Sequence, residues 1–253
     1  MYVAMLPDFS GDGSWNMAID EAMLDILPNC NYAGIARLYS WSEPFITLGR
    51  NQRQIPERWD GLRLGEDIPV VYRPTGGRAV LHLDELTLSL VFRTDHLGCG
   101  GGRRVRCLHG ALLPISSSLL NELGICAAAA SHGDAGSDHF DCFRKVTEAD
   151  LVFANRHDKA AGAALVIRHE YVLQQVSLRA VKVQQMPGIA RFRSIYKEDP
   201  TRPIFTLGEC MAALESVLGK TYQVVRDWSL AKAVQEAASR HMYHAEGSND
   251  PRS

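Results

Sequence analysis

The chain has 253 residues, 46% of them hydrophobic and 22% charged, which is ordinary for a globular protein with a sizeable core. A formal charge of −2 recommends neither nucleic acid nor an anionic membrane as partner, and no run of about 18 apolar residues marks a membrane span. The N-terminal segment lacks a basic stretch and a long apolar core, so no signal peptide is expected. Six irregularly spaced cysteines (30, 99, 107, 126, 142 and 210) point to reduced thiols in a cytoplasmic setting, without a disulfide framework.

In chain order, a first helix fits residues 15–27. Trp15, Ile19, Ala22, Met23 and Ile26 recur at helical spacing, Ser14 can cap and Pro28 stops it. Strand-like runs follow at 35–41, 45–49, 70–73, 79–82 and 86–93, with Pro74-Thr75-Gly76-Gly77 reading as a turn between the third and fourth. Cys99 and the three glycines after it read as a mobile loop. It leads to a helix whose stripe Leu108, Leu112, Ile115, Leu119 and Leu123 closes at Gly124. Residues 129–141 are small, polar and acidic, and are expected to form a mobile loop. Strands are expected at 150–154, 164–168 and 171–178, the first ending in a turn at 155–158. Thr206 and Glu209 have capping-box spacing before a helix that Gly219 ends, and a last helix begins at Ser229. Helices and strands do not alternate regularly, which predicts an α+β fold with a mixed, largely antiparallel sheet flanked by helices. The chain reads as one domain, 1–253, with residues 204–253 as a small helical C-terminal appendage.

Two segments carry chemistry. In Tyr72-Arg73-Pro74-Thr75-Gly76-Gly77-Arg78, two glycines permit close backbone approach to a ligand, and the flanking arginines offer forked donors for a carbonyl, carboxylate or phosphate. A hairpin turn with two surface arginines fits the same residues. In the second segment, Cys142 ends a polar loop, where a thiol can be exposed and reactive, and Lys159 lies on the next strand. A nearby ammonium favours the thiolate. The alternative is a buried, inert cysteine. His132, Asp134, Asp138, His139, Asp141 and Cys142 crowd together, but their spacing fits no closed zinc pattern, so no metal is expected. Gly100-Gly101-Gly102 lacks the Lys-Ser/Thr of a phosphate-binding loop. Arg103, Arg104 and Arg106 form a basic cluster, either solvated or in contact with an acidic carrier protein.

Together these segments resemble the biotin/lipoate protein ligase superfamily, and within it the cysteine-dependent octanoyltransferases of the LipM type. The resemblance starts at Asn16-Met-Ala-Ile-Asp-Glu-Ala, is densest at Arg73-Pro-Thr-Gly-Gly-Arg-Ala-Val-Leu-His82, and resumes at Cys142-Phe143 and Lys159-Ala-Ala-Gly162. It implies a fold like that of class II aminoacyl-tRNA synthetases and biotin synthetases. It implies that Cys142 accepts an acyl group and that Lys159 contacts it. It also implies that Arg73, Thr75, Gly76, Gly77, Arg78 and His82, with Gly162, line the acyl site.

The activity implied is transfer of octanoyl from acyl carrier protein, through the Cys142 thioester, to a lysine of a lipoyl-bearing protein such as a glycine-cleavage H protein. No cofactor is implied, since the substrate is already a thioester. Six buried methylenes of octanoyl would supply roughly 5 kcal/mol of binding. Two other readings stay open: an ATP-dependent lipoate or octanoate ligase, and a non-catalytic binder of carrier proteins. Ala163, Leu165, Gln175, Val176 and Leu83 depart from the family's usual residues, and a lost polar donor at an acyl site can matter by about 3 kcal/mol.

Overall fold

The computed structural model describes the chain except residues 54, 60, 100–104, 132–139, 155–157, 184–201 and 248–253, and over 243–247 it describes the backbone alone. Among the described residues a nine-stranded mixed sheet forms the centre. Its strands are β1 (Tyr2–Met5), β2 (Gly34–Tyr39), β8 (Glu85–Arg93), β9 (Ala127–Ala129), β10 (Leu151–Phe153), β11 (Lys159–Arg168), β12 (Tyr171–Val183), β13 (Ile204–Phe205) and β14 (Gln223–Val225). They lie in the order β14-β1-β2-β8-β12-β11-β10-β9, with β13 beside β12. β14, β1 and β2 are parallel neighbours, as are β12 and β13, and every other pairing is antiparallel. A smaller sheet places β3 (Phe45–Gly49) between β6 (Val70–Arg73) and β7 (Val80–His82), and β4 (Arg58–Trp59) pairs with β5 (Leu62–Arg63).

The period-two alternation of strand side chains divides the core into two layers. From β8, Leu88, Leu90 and Phe92 pack with helix α2 (Val105–Glu122) and helix α3 (Leu207–Gly219). Val91 on the opposite face joins helix α1 (Gly13–Ile26) and helix α4 (Trp228–Gly247). Both faces of the strand are buried, the leucines and Phe92 on one and Glu85, Thr87, Ser89 and Val91 on the other, and each fully buried leucine or phenylalanine contributes about 1.5–3 kcal/mol.

The α1 cap is Asp12, slightly earlier than expected from Ser14; its carboxylate accepts the Trp15 N–H at 2.8 Å and starts the helix at Gly13. Before α3, the Thr206 hydroxyl and the Glu209 carboxylate each accept the other's backbone N–H, at 3.2 and 2.7 Å. Residues 204–253 supply β14 to the sheet edge, α3 to one face and α4 to the other.

Two expectations are corrected here. β6 and β7 do not form a hairpin, because both pair with β3, and their connection crosses over the end of that strand. Arg50 N–H donates to the Thr75 carbonyl at 2.9 Å there. At this crossing a Cβ on Gly49 would stand 1.9 Å from the Gly77 carbonyl, so no other residue fits. The cysteines are not all reduced: Cys99 and Cys107 form a disulfide. Gly98, with φ at 68°, turns the chain after a short 3-10 helix (Thr94–Leu97), and Cys99 thereby meets the first turn of α2. Cys30, Cys126, Cys142 and Cys210 are free. Most of the expected 129–141 loop, with His132, Asp134, Asp138 and His139, lies outside the described residues, as do Gly100 to Arg104.

Candidate active site

The crossing connection between β6 and β7 is built around Arg73, only 6% exposed. Nε donates to the Gly76 carbonyl at 3.1 Å and Nη1 to the carbonyl and hydroxyl of Thr47 at 3.2 and 3.3 Å. Nη2 donates to the carbonyls of Gly76 and Arg78 at 2.6 and 2.7 Å. A guanidinium has five N–H groups, and all five are committed inside the protein. Arg73 therefore shapes the loop from behind, and its fork is not turned toward a ligand. Burial pushes this guanidinium down to about 10, which leaves it a cation at neutral pH. Gly77, with φ at 90°, passes over it closely enough that a Cβ would lie 2.8 Å from Nη2.

Thr75 is fully buried and donates to the Gln175 side-chain carbonyl at 2.6 Å. The Gln175 amide in turn donates to Asp20 at 2.6 Å. Asp20 also accepts from Tyr39 at 2.9 Å, Ser89 at 2.6 Å and Arg37 at 2.9 Å, the last a fully buried ion pair. Gln175, which departs from the family's usual residue, is thus a polar bridge and not a polar loss. Leu83 and Val176 are core residues, and Ala163 and Leu165 pack against the α2/α3 core.

His82 stacks on Trp41 at 3.7 Å between ring centroids. Its Nδ1 lies 2.7 Å from Glu85 and its Nε2 2.8 Å from the Thr47 hydroxyl. Burial pushes the imidazole below its usual value, against the pull of Glu85, and Arg73 adds to the lowering. Glu85 is held below its ordinary value because hydrogen bonds from His82 and the Leu83 N–H outweigh the cost of its burial. A neutral His82 that donates from Nδ1 to Glu85 and accepts from Thr47 at Nε2 satisfies both contacts. His82 belongs to the scaffold behind the loop.

Cys142 opens a 3-10 turn (Cys142–Arg144) capped by the buried Asp141, whose carboxylate accepts the Phe143 N–H at 2.8 Å. Cys142 N–H donates to the Ala79 carbonyl at 2.9 Å, which ties the turn to the exit of the Gly-Gly loop. Lys159, at the start of β11, reaches the same point with a side chain only 2% exposed. Its Nζ lies 2.9 Å from Asp150 Oδ1, 3.1 Å from the Cys142 carbonyl, 3.4 Å from Cys142 Sγ and 3.4 Å from the Lys145 carbonyl. Asp150 is itself fixed, because its second oxygen accepts the N–H and hydroxyl of Thr147 at 2.7 and 2.8 Å.

Gly162 makes room for this lysine: a Cβ there would stand 2.7 Å from Cε and 3.1 Å from Nζ. The Phe143 ring lies between two cations, 5.1 Å from Lys159 Nζ and 4.8 Å from Arg179. The N–H groups of Cys142 and Phe143 are both bonded within the protein, and among the described residues Lys159 Nζ is a placed donor beside the sulfur. A half-buried thiol with a fixed ammonium suits nucleophilic attack on a carbonyl carbon.

Of the expected site residues, the structure brings Cys142, Lys159 and Gly162 together. It sets Arg73, Thr75 and His82 behind the loop as supports, and half-exposes Gly76 and Arg78, with Gly77 at its exposed tip. Sequence reasoning missed Asp150, Thr47, Asp20 and Phe143 as participants. Asp150 carried a signal, since it is an acidic residue opening a strand that pairs with β11.

Residues 12–238 match the lipoyl protein ligase A/B catalytic domain. The chain belongs to that family. Within it, the chain is 33% identical over 202 residues to the octanoyltransferase LipM of Carboxydothermus hydrogenoformans, covering 78% of this chain and 72% of the relative. It is 36% identical over 167 residues to the LipM octanoyltransferase of Moorella thermoacetica, covering 64% of this chain and 59% of that one. The fold is shared with one chain of a solved archaeal lipoylation system from Thermoplasma acidophilum, described as a bi-partite lipoate protein ligase and its E2 lipoyl domain, at 18% identity and a TM-score of 0.61, over 95% of this chain and 91% of that one. The family's mixed sheet between helices is the fold expected from the sequence. Among the described residues, no helix is long and apolar enough to cross a membrane.

Proposed function

We propose that this member of the lipoyl protein ligase family is an octanoyltransferase of lipoate biosynthesis that works through an octanoyl thioester on Cys142. The observation that carries the reading is the Lys159 Nζ to Cys142 Sγ contact at 3.4 Å, deep in a packed ion pair and adjoining the Gly-Gly loop. The relatives' name, octanoyltransferase, supports octanoyl as the acyl group, and the lipoyl protein ligase family supports its use in lipoate assembly. Cys142 gives up its proton and its sulfur attacks the donor's thioester carbonyl; the C–S bond to the donor breaks, and the donor sulfur leaves carrying that proton as a thiol. A neutral lysine amine of the acceptor then attacks the acyl-cysteine; the C–S bond to Cys142 breaks, the amide forms, and the amine's proton passes to the Cys142 sulfur. Lys159 donates to the oxyanion that forms in each half reaction, because it is the charged donor beside the sulfur.

The acceptor is a lipoyl-bearing protein, and the donor is octanoyl-acyl carrier protein. Thioester exchange is nearly isoenergetic, so the first step needs no ATP. Intact-mass spectrometry tests this directly: mixed with octanoyl-loaded carrier protein and no nucleotide, the protein gains one octanoyl group. Cys142→Ser gains none. Acylation that requires ATP and survives Cys142→Ser would replace this reading with a ligase.

A further inference from the structure

The sequence places support for the thiolate on Lys159, but the charges around Cys142 pair differently. Lys159 is already neutralised by Asp150 at 2.9 Å, with both side chains 2% exposed, so as a pair they present little net charge to the sulfur. Arg73 is the reverse case. It is nearly as buried, yet all five of its hydrogen bonds end on neutral carbonyls or a hydroxyl, and among the described residues no carboxylate pairs with it.

We propose that Arg73 is the counter-charge of the Cys142 thiolate, while Lys159 serves as a directional donor within a neutral pair. This rests on the acyl-transfer reading of Cys142. The two residues are joined through one stretch of backbone: Arg73 grips the Arg78 carbonyl, and Cys142 N–H donates to the next carbonyl, that of Ala79. Burial lowers the guanidinium's pKa and the charge of Cys142 raises it, in keeping with that link.

Of the charged groups on the turn that carries the thiol and on its neighbours, Asp141 lies 3.9 Å from Arg144 and Arg179 lies over the Phe143 ring. The buried charges nearest the sulfur are then the Asp150–Lys159 pair and the uncompensated Arg73. Arg73 does not touch the reacting atoms, so it is a positioning residue, acting through the loop and its field.

The test measures thiolate at Cys142 by its alkylation rate with iodoacetamide at neutral pH. Ultraviolet thiolate absorbance against Cys142→Ser gives the second measure. Arg73→Gln is expected to slow alkylation about tenfold and Arg73→Lys to recover most of that loss, since removing one buried charge from the same packed loop changes ionisation by about that factor. The double variant Lys159→Met with Asp150→Asn removes the neutral pair as a unit. It should alkylate within about threefold of wild type while losing octanoyl transfer, because the pair cancels electrostatically and the donor is gone.

The proposal is overturned if the double variant alkylates as slowly as Arg73→Gln, or if Arg73→Lys is no faster than Arg73→Gln. Should Arg73→Gln fail to fold, the double variant decides alone, since loss of its thiolate returns the role to Lys159. Iodoacetamide needs neither carrier nor acyl group, so failure of octanoyl transfer in the wild type would count against the function and not against this assignment.

Discussion

Gly162→Ala separates the site from the fold. The added Cβ would stand 2.7 Å from Lys159 Cε and 3.1 Å from Nζ, against an ordinary carbon contact of about 3.5–4.0 Å. Both obstructed atoms are the far end of a flexible side chain, so the backbone stays and the lysine moves by about 1 Å. That movement takes Nζ from 3.4 Å to about 4.4 Å from Sγ, beyond hydrogen-bond range. Misplacement of this size costs about 100-fold in rate.

Stability responds weakly. Alanine in place of a strand glycine gains about 0.5–1 kcal/mol in backbone entropy, which offsets strain on the Lys159–Asp150 pair, so the melting temperature holds within about 3 °C. The assay is the rate of octanoyl adduct formation by intact mass, alongside a thermal melt. A Gly162→Ala protein that melts like wild type and acylates at the wild-type rate would refute the claim that this glycine exists to seat Lys159.

Three further outcomes are expected. Asp150→Ala, which leaves the Lys159 ammonium buried without its partner, should lower stability by about 3–5 kcal/mol in urea unfolding. Because burial holds His82 below its ordinary 6.5 and its hydrogen bonds hold Glu85 below 4.5, the unfolded chain binds more protons in acid. Stability is then full above about pH 6.5 and falls as pH drops through both ranges, which melts taken across that span will show or disprove. Thiol titration in denaturant should count the four free cysteines before a dithiol reductant is added and all six after it; six from the outset would contradict the Cys99–Cys107 bond.

Much of the fold was legible because it rests on strong local patterns. The β3, β6 and β8 runs, the α2 leucine stripe and the Thr206–Glu209 box each show a single period or cap in a short window. β1 and β14 were not legible, since no turn signal brackets their few residues, and pairing makes them strands, β14 with β1 and β1 also with β2. Pro-Thr-Gly-Gly looked like a hairpin because its turn chemistry is local, whereas the choice of β3 as common partner is not. At the site, Cys142 and Lys159 were visible as residue types, and Gly162 as a match. Asp150 as the partner of Lys159, and the burial of Arg73's whole fork, depend on neighbours brought in by the sheet.

Asp20 ties the reactive loop to residues spread along the chain. It collects donors from Arg37 and Tyr39 on β2, Ser89 on β8 and Gln175 on β12, and Gln175 reaches back one hundred positions to hold Thr75. During synthesis, the Gly-Gly loop therefore leaves the ribosome long before the strand that anchors it. Until β12 has been added, Asp20 lacks one of its donors, Thr75 lacks its acceptor, and Lys159 has no completed sheet to stand on. The thiol at Cys142 is thus made well before the surroundings that would arm it. Under the proposed acyl-transfer role, an incomplete chain carries the Cys142 thiol before Lys159 and its sheet are in place beside it.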